Sequence, residues 1–170
     1  MNKTSVAVLF LFPLLLLSAC GSTSHVLDFE CRTLAGNVIT SKELRGKIVL
    51  LEFWDTRCGP CIKLMPHMEK LYAKYKDNPN VVILIVNAGW QSIDDAMSFV
   101  SKHSYDLPFA YMTRQESKKL DVREIPKTMV VDKQFKCRFQ FVGYDDYDPD
   151  SDPGPVAECE TLIESLLAEQ

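Results

Sequence analysis

Residues Ile48 to Pro66 constrain this chain more than any other stretch. Ile48-Val49-Leu50-Leu51-Glu52-Phe53-Trp54 is a short apolar run with β-branched residues, the pattern of a buried strand. It breaks at Cys58-Gly59-Pro60-Cys61, after which Ile62, Leu64, Met65, Met68, Leu71 and Tyr72 recur at helical spacing. Pro60 fits the first turn of that helix, where a missing N–H costs nothing. The two cysteines therefore fall on a strand-to-helix turn, at the positive end of a helix. Free N–H groups and the helix dipole favour a thiolate at Cys58, and Cys61 follows one turn further in. Such a pair can attack a disulfide, hold a mixed disulfide and resolve it internally. The other reading, half of a zinc site, needs a second Cys/His pair, and the sequence has no second CxxC or HxxxH. His67 is the nearest additional candidate, so the expected metal set is empty.

Glu52-Phe53-Trp54-Asp55-Thr56-Arg57-Cys58-Gly59-Pro60-Cys61 resembles the active-site segment of the thioredoxin superfamily. The resemblance is to the TlpA/ResA-like, membrane-anchored thiol–disulfide oxidoreductases, and Leu44-Arg45-Gly46-Lys47-Ile48-Val49-Leu50 resembles that group's lead-in. Arg57 stands where the group usually has Trp; a cation there would favour the Cys58 thiolate and acidic partners. The resemblance implies a thioredoxin-like α/β fold, a mixed central sheet flanked by helices, with an N-terminal β-hairpin extension. It implies no cofactor. As partners it implies protein thiol or disulfide substrates, including apocytochromes awaiting haem attachment, and a membrane thiol electron donor.

A carboxylate in a buried strand is costly and tends to hold its proton, which singles out Glu52. In the superfamily an acid at the matching position relays the proton of the second cysteine, which makes Glu52 the expected general base toward Cys61. A solvent-facing strand residue or a structural ion pair is the alternative. Trp54 is expected to shield the site from water, or else to pack in the core. A second signature is Asp121-Val122-Arg123-Glu124-Ile125-Pro126-Lys127-Thr128. The family places a cis proline opposite the CxxC; Pro126 matches it, and Ile125 would offer its backbone to a substrate chain. A trans proline in a loop is the plain alternative. Lys127 adds a second cation near the site. The expected catalytic set is Cys58, Cys61 and Glu52; the substrate-facing set is Trp54, Arg57, Gly59, Pro60, Ile125 and Pro126.

The chain begins with Lys3 and an apolar run, Val6 to Leu17, too short for an ordinary spanning helix and flanked like a signal peptide. Leu17-Ser18-Ala19-Cys20-Gly21 resembles the bacterial lipoprotein box, which makes Cys20 the lipidated mature N-terminus. An ordinary secretory signal cleaved near Ala19 is the alternative. The expected organisation is a signal peptide over 1–19, a lipidated tether over 20–25 and a thioredoxin-like domain over 26–170. The protein would then be exported and held to a bacterial membrane by its lipid anchor, facing the periplasm or cell exterior. With 46% hydrophobic and 25% charged residues the chain is globular. A net charge of −4 without a basic cluster argues against nucleic acid.

The remaining elements follow from pattern. Val26 to Thr40 reads as a hairpin turning at Ala35-Gly36-Asn37, and Ser41 to Gly46 as a turn of helix. Val81 to Asn87 is apolar on both faces, as in a central parallel strand. Ser92 caps a helix with Asp94 and Asp95 in its first turn. Leu107-Pro108-Phe109 reads as a loop, Glu116 to Leu120 as a short helix, Lys136 to Gly143 as an antiparallel edge strand and Val156 to Ala168 as the closing helix. Asp148, Asp150 and Asp152 resemble the start of a calcium loop. Pro153 replaces its glycine and Cys159 its closing glutamate, so a solvated acidic loop is expected. Cys31, Cys137 and Cys159 are read as small buried hydrophobes, with a Cys137–Cys159 link as the alternative. Two rival functions are weighed. A peroxiredoxin-like peroxidase lacks its Pro-x-x-x-Thr-x-x-Cys setting here, and the intact CGPC argues against a non-catalytic binding lipoprotein.

Overall fold

Seven consecutive buried residues make β3 (Ile48–Trp54) an interior strand of the sheet. The computed structural model describes residues 27–143 and 154–169. The leader, Cys20 and its tether, and the acidic loop with its calcium-like aspartates therefore lie outside the described residues. Around β3 the chain forms β1 (Glu30–Thr33), β2 (Val38–Thr40), α1 (Gly59–Tyr75), β4 (Val81–Asn87) and α2 (Ile93–Lys102). Then come β5 (Phe109–Tyr111), α3 (Arg114–Lys119), β6 (Lys127–Val131), β7 (Cys137–Val142) and α4 (Pro155–Ala168). The strands form one sheet in the order β2-β1-β5-β4-β3-β6-β7. β3, β4 and β5 run parallel to one another, whereas β6 is antiparallel to β3 and β1 is antiparallel to β5. This is the mixed sheet of a thioredoxin-like fold, with the N-terminal hairpin β1–β2 added along one edge.

Strand alternation splits the core into two layers. Ile48, Leu50 and Trp54 face Leu64, Met65 and Met68 of α1, Ala96 of α2 and Ile163 of α4. Val49, Leu51 and Phe53 face the other way, toward Leu44, Leu120, Val122 and Phe135. Burial of each large apolar side chain contributes about 1.5–3 kcal/mol, so the doubly covered β3 is the strongest single element.

Three boundaries differ from the pattern reading. Phe109–Tyr111 is a strand, β5, where the sequence suggests a loop. Three residues behind a proline carry no readable alternation; pairing with both β4 and β1 makes the strand. Residues 41–46 form turns and not a helix. α3 starts at Arg114, two residues early, because Thr113 Oγ1 accepts the Glu116 N–H at 3.2 Å. The capping box at α2 is as the sequence suggests: Ser92 Oγ accepts the Asp95 N–H, and Asp95 accepts the Ser92 N–H.

The loop after β4 is pressed against the end of β5. A Cβ on Gly89 would lie 2.3 Å from the Met112 carbonyl oxygen and 2.6 Å from the Arg114 nitrogen, at a φ of +70°. Backbone cannot yield as a flexible side chain can. Gly89→Ala is expected to destabilise the protein by about 2 kcal/mol or more, read as a lower denaturant midpoint at unchanged slope.

Candidate active site

Cys58 is the N-cap of α1, with extended backbone at φ −87° and ψ 92°. It bonds Cys61 in a disulfide with Cα atoms 5.3 Å apart. The Cys61 N–H donates to Cys58 Sγ at 3.2 Å. In the reduced protein that N–H and the helix N-terminus stabilise negative charge on Cys58. The two sulfurs differ in access: Cys58 is half-buried, whereas Cys61 is buried, its Sγ 4.0 Å from the Phe53 carbonyl oxygen. An incoming partner can reach Cys58 and not Cys61.

Glu52 is the one acid on the buried strand that leads to this pair. Its register on β3 points it to the same layer as Leu50, Trp54 and Cys61. It is 3% exposed and sits opposite Thr128 of β6, whose Oγ1 donates to Oε2 at 2.5 Å. Oε1 has no partner among the described residues. Burial pushes the carboxyl up to about 8, and the Thr128 hydrogen bond offsets part of that rise. Cys159 of α4 is free and buried in the same layer, where burial and the nearby Glu52 charge hold its thiol protonated. Cys31 is likewise free and buried, and Cys137 is half-buried. A Cys137–Cys159 bridge is therefore absent.

The Ile125–Pro126 peptide bond is cis. Phe53 pairs with Lys127, so Pro126 stands beside Trp54, where β3 runs out toward Cys58. Ile125 is half-buried and packs against the layer that also receives Cys58. Pro126 is buried and its carbonyl accepts the Gly143 N–H at 3.0 Å. Gly59, Pro60 and Arg57 are exposed around the disulfide, and a Cβ on Gly59 would meet nothing within 4 Å.

Two expected contributors are buried. Trp54 is 1% exposed, with its ring 5.1 Å from Phe99 and 5.4 Å from Phe109. It packs the core beneath the site and offers no surface to a substrate. Lys127 is 3% exposed, and its Nζ donates to the carbonyls of Leu120 at 3.1 Å and Asp121 at 3.0 Å. Its alternation with Thr128 sends it to the sheet face away from Glu52. It ties down the end of α3 and is no second cation at the disulfide.

Sequence reading passed over the loop after β4. With its amide oxygen turned toward Arg57, Gln91 satisfies every neighbour. The oxygen accepts from Arg57 Nε and from Nη2 at 3.2 Å, and the amide nitrogen donates to Thr56 Oγ1 and to Asp55 Oδ1 at 3.0 Å. Asp55 Oδ1 also accepts the Arg57 N–H at 3.0 Å. The approach to Cys58 is therefore braced. The rule that ligands gather at the carboxyl ends of parallel strands is the signal that points to this loop.

The fold and the oxidised pair place the chain in the class of thioredoxin-fold proteins equipped for thiol–disulfide exchange. A family profile described as thioredoxin-like matches residues 46–137, and the chain belongs to that family. It is similar to the thiol-disulfide oxidoreductase ResA of Halalkalibacterium halodurans, 36% identical over 112 residues, which is 64% of this chain and 61% of that one. The chain thus spans about three fifths of the length of this relative. A solved structure of a Bacteroides vulgatus protein proposed to be a thiol-disulfide oxidoreductase matches at TM-score 0.64 and 27% identity, covering 83% of this chain and 93% of that one. A secreted Mycobacterium tuberculosis disulfide oxidoreductase shares the fold at TM-score 0.63 and 20% identity, covering 80% and 99%.

Glu52 makes stability depend on pH. The folded protein keeps this proton up to about pH 8, whereas an ordinary glutamate releases it near 4.5. Between those values the unfolded chain binds fewer protons, so the slope of stability against pH is negative. The stabilisation is complete below 4.5, declines as pH rises, and is gone above about 8. Glu52→Gln is expected to flatten that decline, a difference on the order of a few kcal/mol between pH 5 and 8.5, measured by denaturant titration at both.

Proposed function

We propose that this protein is an exported thiol–disulfide oxidoreductase that reduces protein disulfides through Cys58 and Cys61. The observation that carries the reading is the asymmetric pair: a half-buried Cys58 at a helix N-terminus and a buried Cys61, with a buried acid, Glu52, facing the same core layer as Cys61. The Cys58 thiolate attacks one sulfur of the partner disulfide. A Cys58–partner bond forms, the partner S–S bond breaks, and the leaving sulfur takes a proton. Glu52 accepts the Cys61 proton, and the Cys61 thiolate attacks Cys58 Sγ. The Cys58–Cys61 disulfide forms and the second partner sulfur leaves. Two electrons pass to the partner, and a dithiol donor at the membrane returns them to the protein. Burial sets the Glu52 proton affinity at about 8, so the ionised fraction that acts as base grows as pH rises from neutral toward 8. The Ile125 backbone makes no hydrogen bond among the described residues, which leaves it for short β-pairing with a substrate chain. Gly59 and Pro60 supply the open surface beside Cys58.

The leader and the Leu17-Ser18-Ala19-Cys20 box support export and lipid anchoring at Cys20, with the domain from 26 onward facing the periplasm or cell exterior. Among the described residues no helix is long and apolar enough to cross a membrane. Apocytochrome cysteines or general exported disulfides are the substrates this arrangement suits.

Cys58→Ser is expected to abolish reduction of a disulfide substrate, and Cys61→Ser to accumulate the mixed disulfide on a non-reducing gel. Glu52→Gln should slow resolution by about a hundredfold with little change in the first attack. A potential of the pair near −270 mV fits a reductase; one near −120 mV would make the protein a disulfide donor. If Cys58→Ser leaves cellular function intact, the binding-scaffold reading replaces this one. Cys20→Ser is expected to abolish incorporation of labelled palmitate and release the protein from membranes.

A further inference from the structure

The disulfide is flanked on one side by Pro126, which leads into β6, and on the other by the loops that follow β4 and β5. The second side carries two guanidinium groups and an indole. Arg57 is held by the Gln91 amide oxygen. Arg114, the first residue of α3, donates from Nη1 to the Val122 carbonyl at 2.9 Å, and its Cζ lies 4.8 Å from the centroid of the Trp90 ring. Trp90 is 38% exposed, a large apolar ring left open to solvent between the two cations in the chain's loop order.

The partners of these guanidiniums matter. Arg123 is paired with Asp121, and Arg138 with Asp132 and Glu169. Arg57 and Arg114 are instead oriented by neutral acceptors and a ring, and neither has an ion pair among the described residues. A neutral brace fixes the direction of a guanidinium without cancelling its charge. Asp55 accepts from the Arg57 backbone N–H and from Gln91, and Asp95 caps Ser92; neither forms an ion pair with Arg57 or Arg114 among the described residues. The platform is also stiff. The Ala88 N–H donates to the Trp54 carbonyl at 3.0 Å, Ser117 Oγ donates to the Ala88 carbonyl at 2.9 Å, and Gly89 lies against the β5 end. Two pre-aimed, uncompensated guanidiniums with an exposed aromatic ring are what a carboxylate-bearing peptide needs for charge-assisted recognition.

We propose that Arg57, Trp90 and Arg114 form a docking rim beside Cys58 that selects partner segments carrying Asp or Glu next to their disulfide. This rests on the exchange chemistry proposed above and adds the partner class.

The test uses the full chain, pre-reduced and freed of reductant. Three disulfide-linked peptides, with Asp, Ser or Lys flanking the cysteines, are compared with neutral hydroxyethyl disulfide. The Asp peptide should be reduced about tenfold faster than the Lys peptide at low salt, with the ratio shrinking as ionic strength rises. Arg114→Glu should reduce that ratio about tenfold and Arg114→Gln about threefold; a ratio within one variant cancels any loss of active protein. Equal rates within twofold for the unmutated chain, or a ratio untouched by Arg114→Glu, would overturn the rim while leaving exchange intact. If hydroxyethyl disulfide is not reduced either, the exchange chemistry itself fails and the rim fails with it.

Discussion

Burial of β3 on both faces is the constraint on which the rest of the site depends. Helices cover one side of the strand, and α3 with the N-terminal extension covers the other, so every residue from Ile48 to Trp54 is out of water. A carboxylate on such a strand cannot be solvated, and Glu52 therefore holds its proton far above the ordinary range. The same burial decides where the strand ends. Once Trp54 is packed against Phe99 and Phe109, the next residues must leave the sheet, and they leave it as the turn that carries Cys58.

From that turn the chemistry follows by position. Cys58 stands at the boundary of α1, where its sulfur accepts the Cys61 N–H; Cys61 stands one turn inside, where the helix packs on the sheet. Identical side chains thus receive different environments from a three-residue offset. One is half-buried and accepts a helix N–H; the other is buried in the layer that Glu52 faces. Cys159 shows the contrast. It shares the layer with Glu52 but has neither a helix N-terminus nor access, and burial keeps it a protonated thiol.

Buried polar groups are used in two ways. Lys127, Ser117 and Asp132 are satisfied by backbone or side-chain partners, and they brace the end of α3 and the β6–β7 turn. Among the described residues, the buried side-chain atoms without partners are Glu52 Oε1, Trp54 Nε1 and Asn87 Nδ2. All three belong to the last three residues of β3 or β4. An unmade hydrogen bond costs about 1–3 kcal/mol, and here the cost is concentrated at the end of the sheet that carries the disulfide.

Strong local patterns were legible in the residues alone. The apolar runs of β3 and β4, the helical spacing after Cys61, the Ser92 cap and the β1–β2 hairpin all depend on chemistry within a few residues of chain. Resemblance to known proteins added the cis geometry at Pro126. Other features needed residues far apart in the chain. β5 exists because β1 and β4 supply its hydrogen bonds, and three residues cannot announce that. Lys127 looks like a cation at the site until strand register turns it to the opposite face, onto Leu120 and Asp121. That the Trp54 ring packs under α2 and β5 is likewise decided by residues far from it in the chain. The Gln91 brace on Arg57 joins residues 34 positions apart, at the ends of two neighbouring strands. The sequence by itself determined the strand–turn–helix unit and the spacing of its two sulfurs, because hydrophobic period and helix capping act locally. Which buried groups stay protonated, which cations stay at the surface and which are consumed by backbone were decided only by tertiary structure, because solvation and charge pairing depend on what the fold brings close.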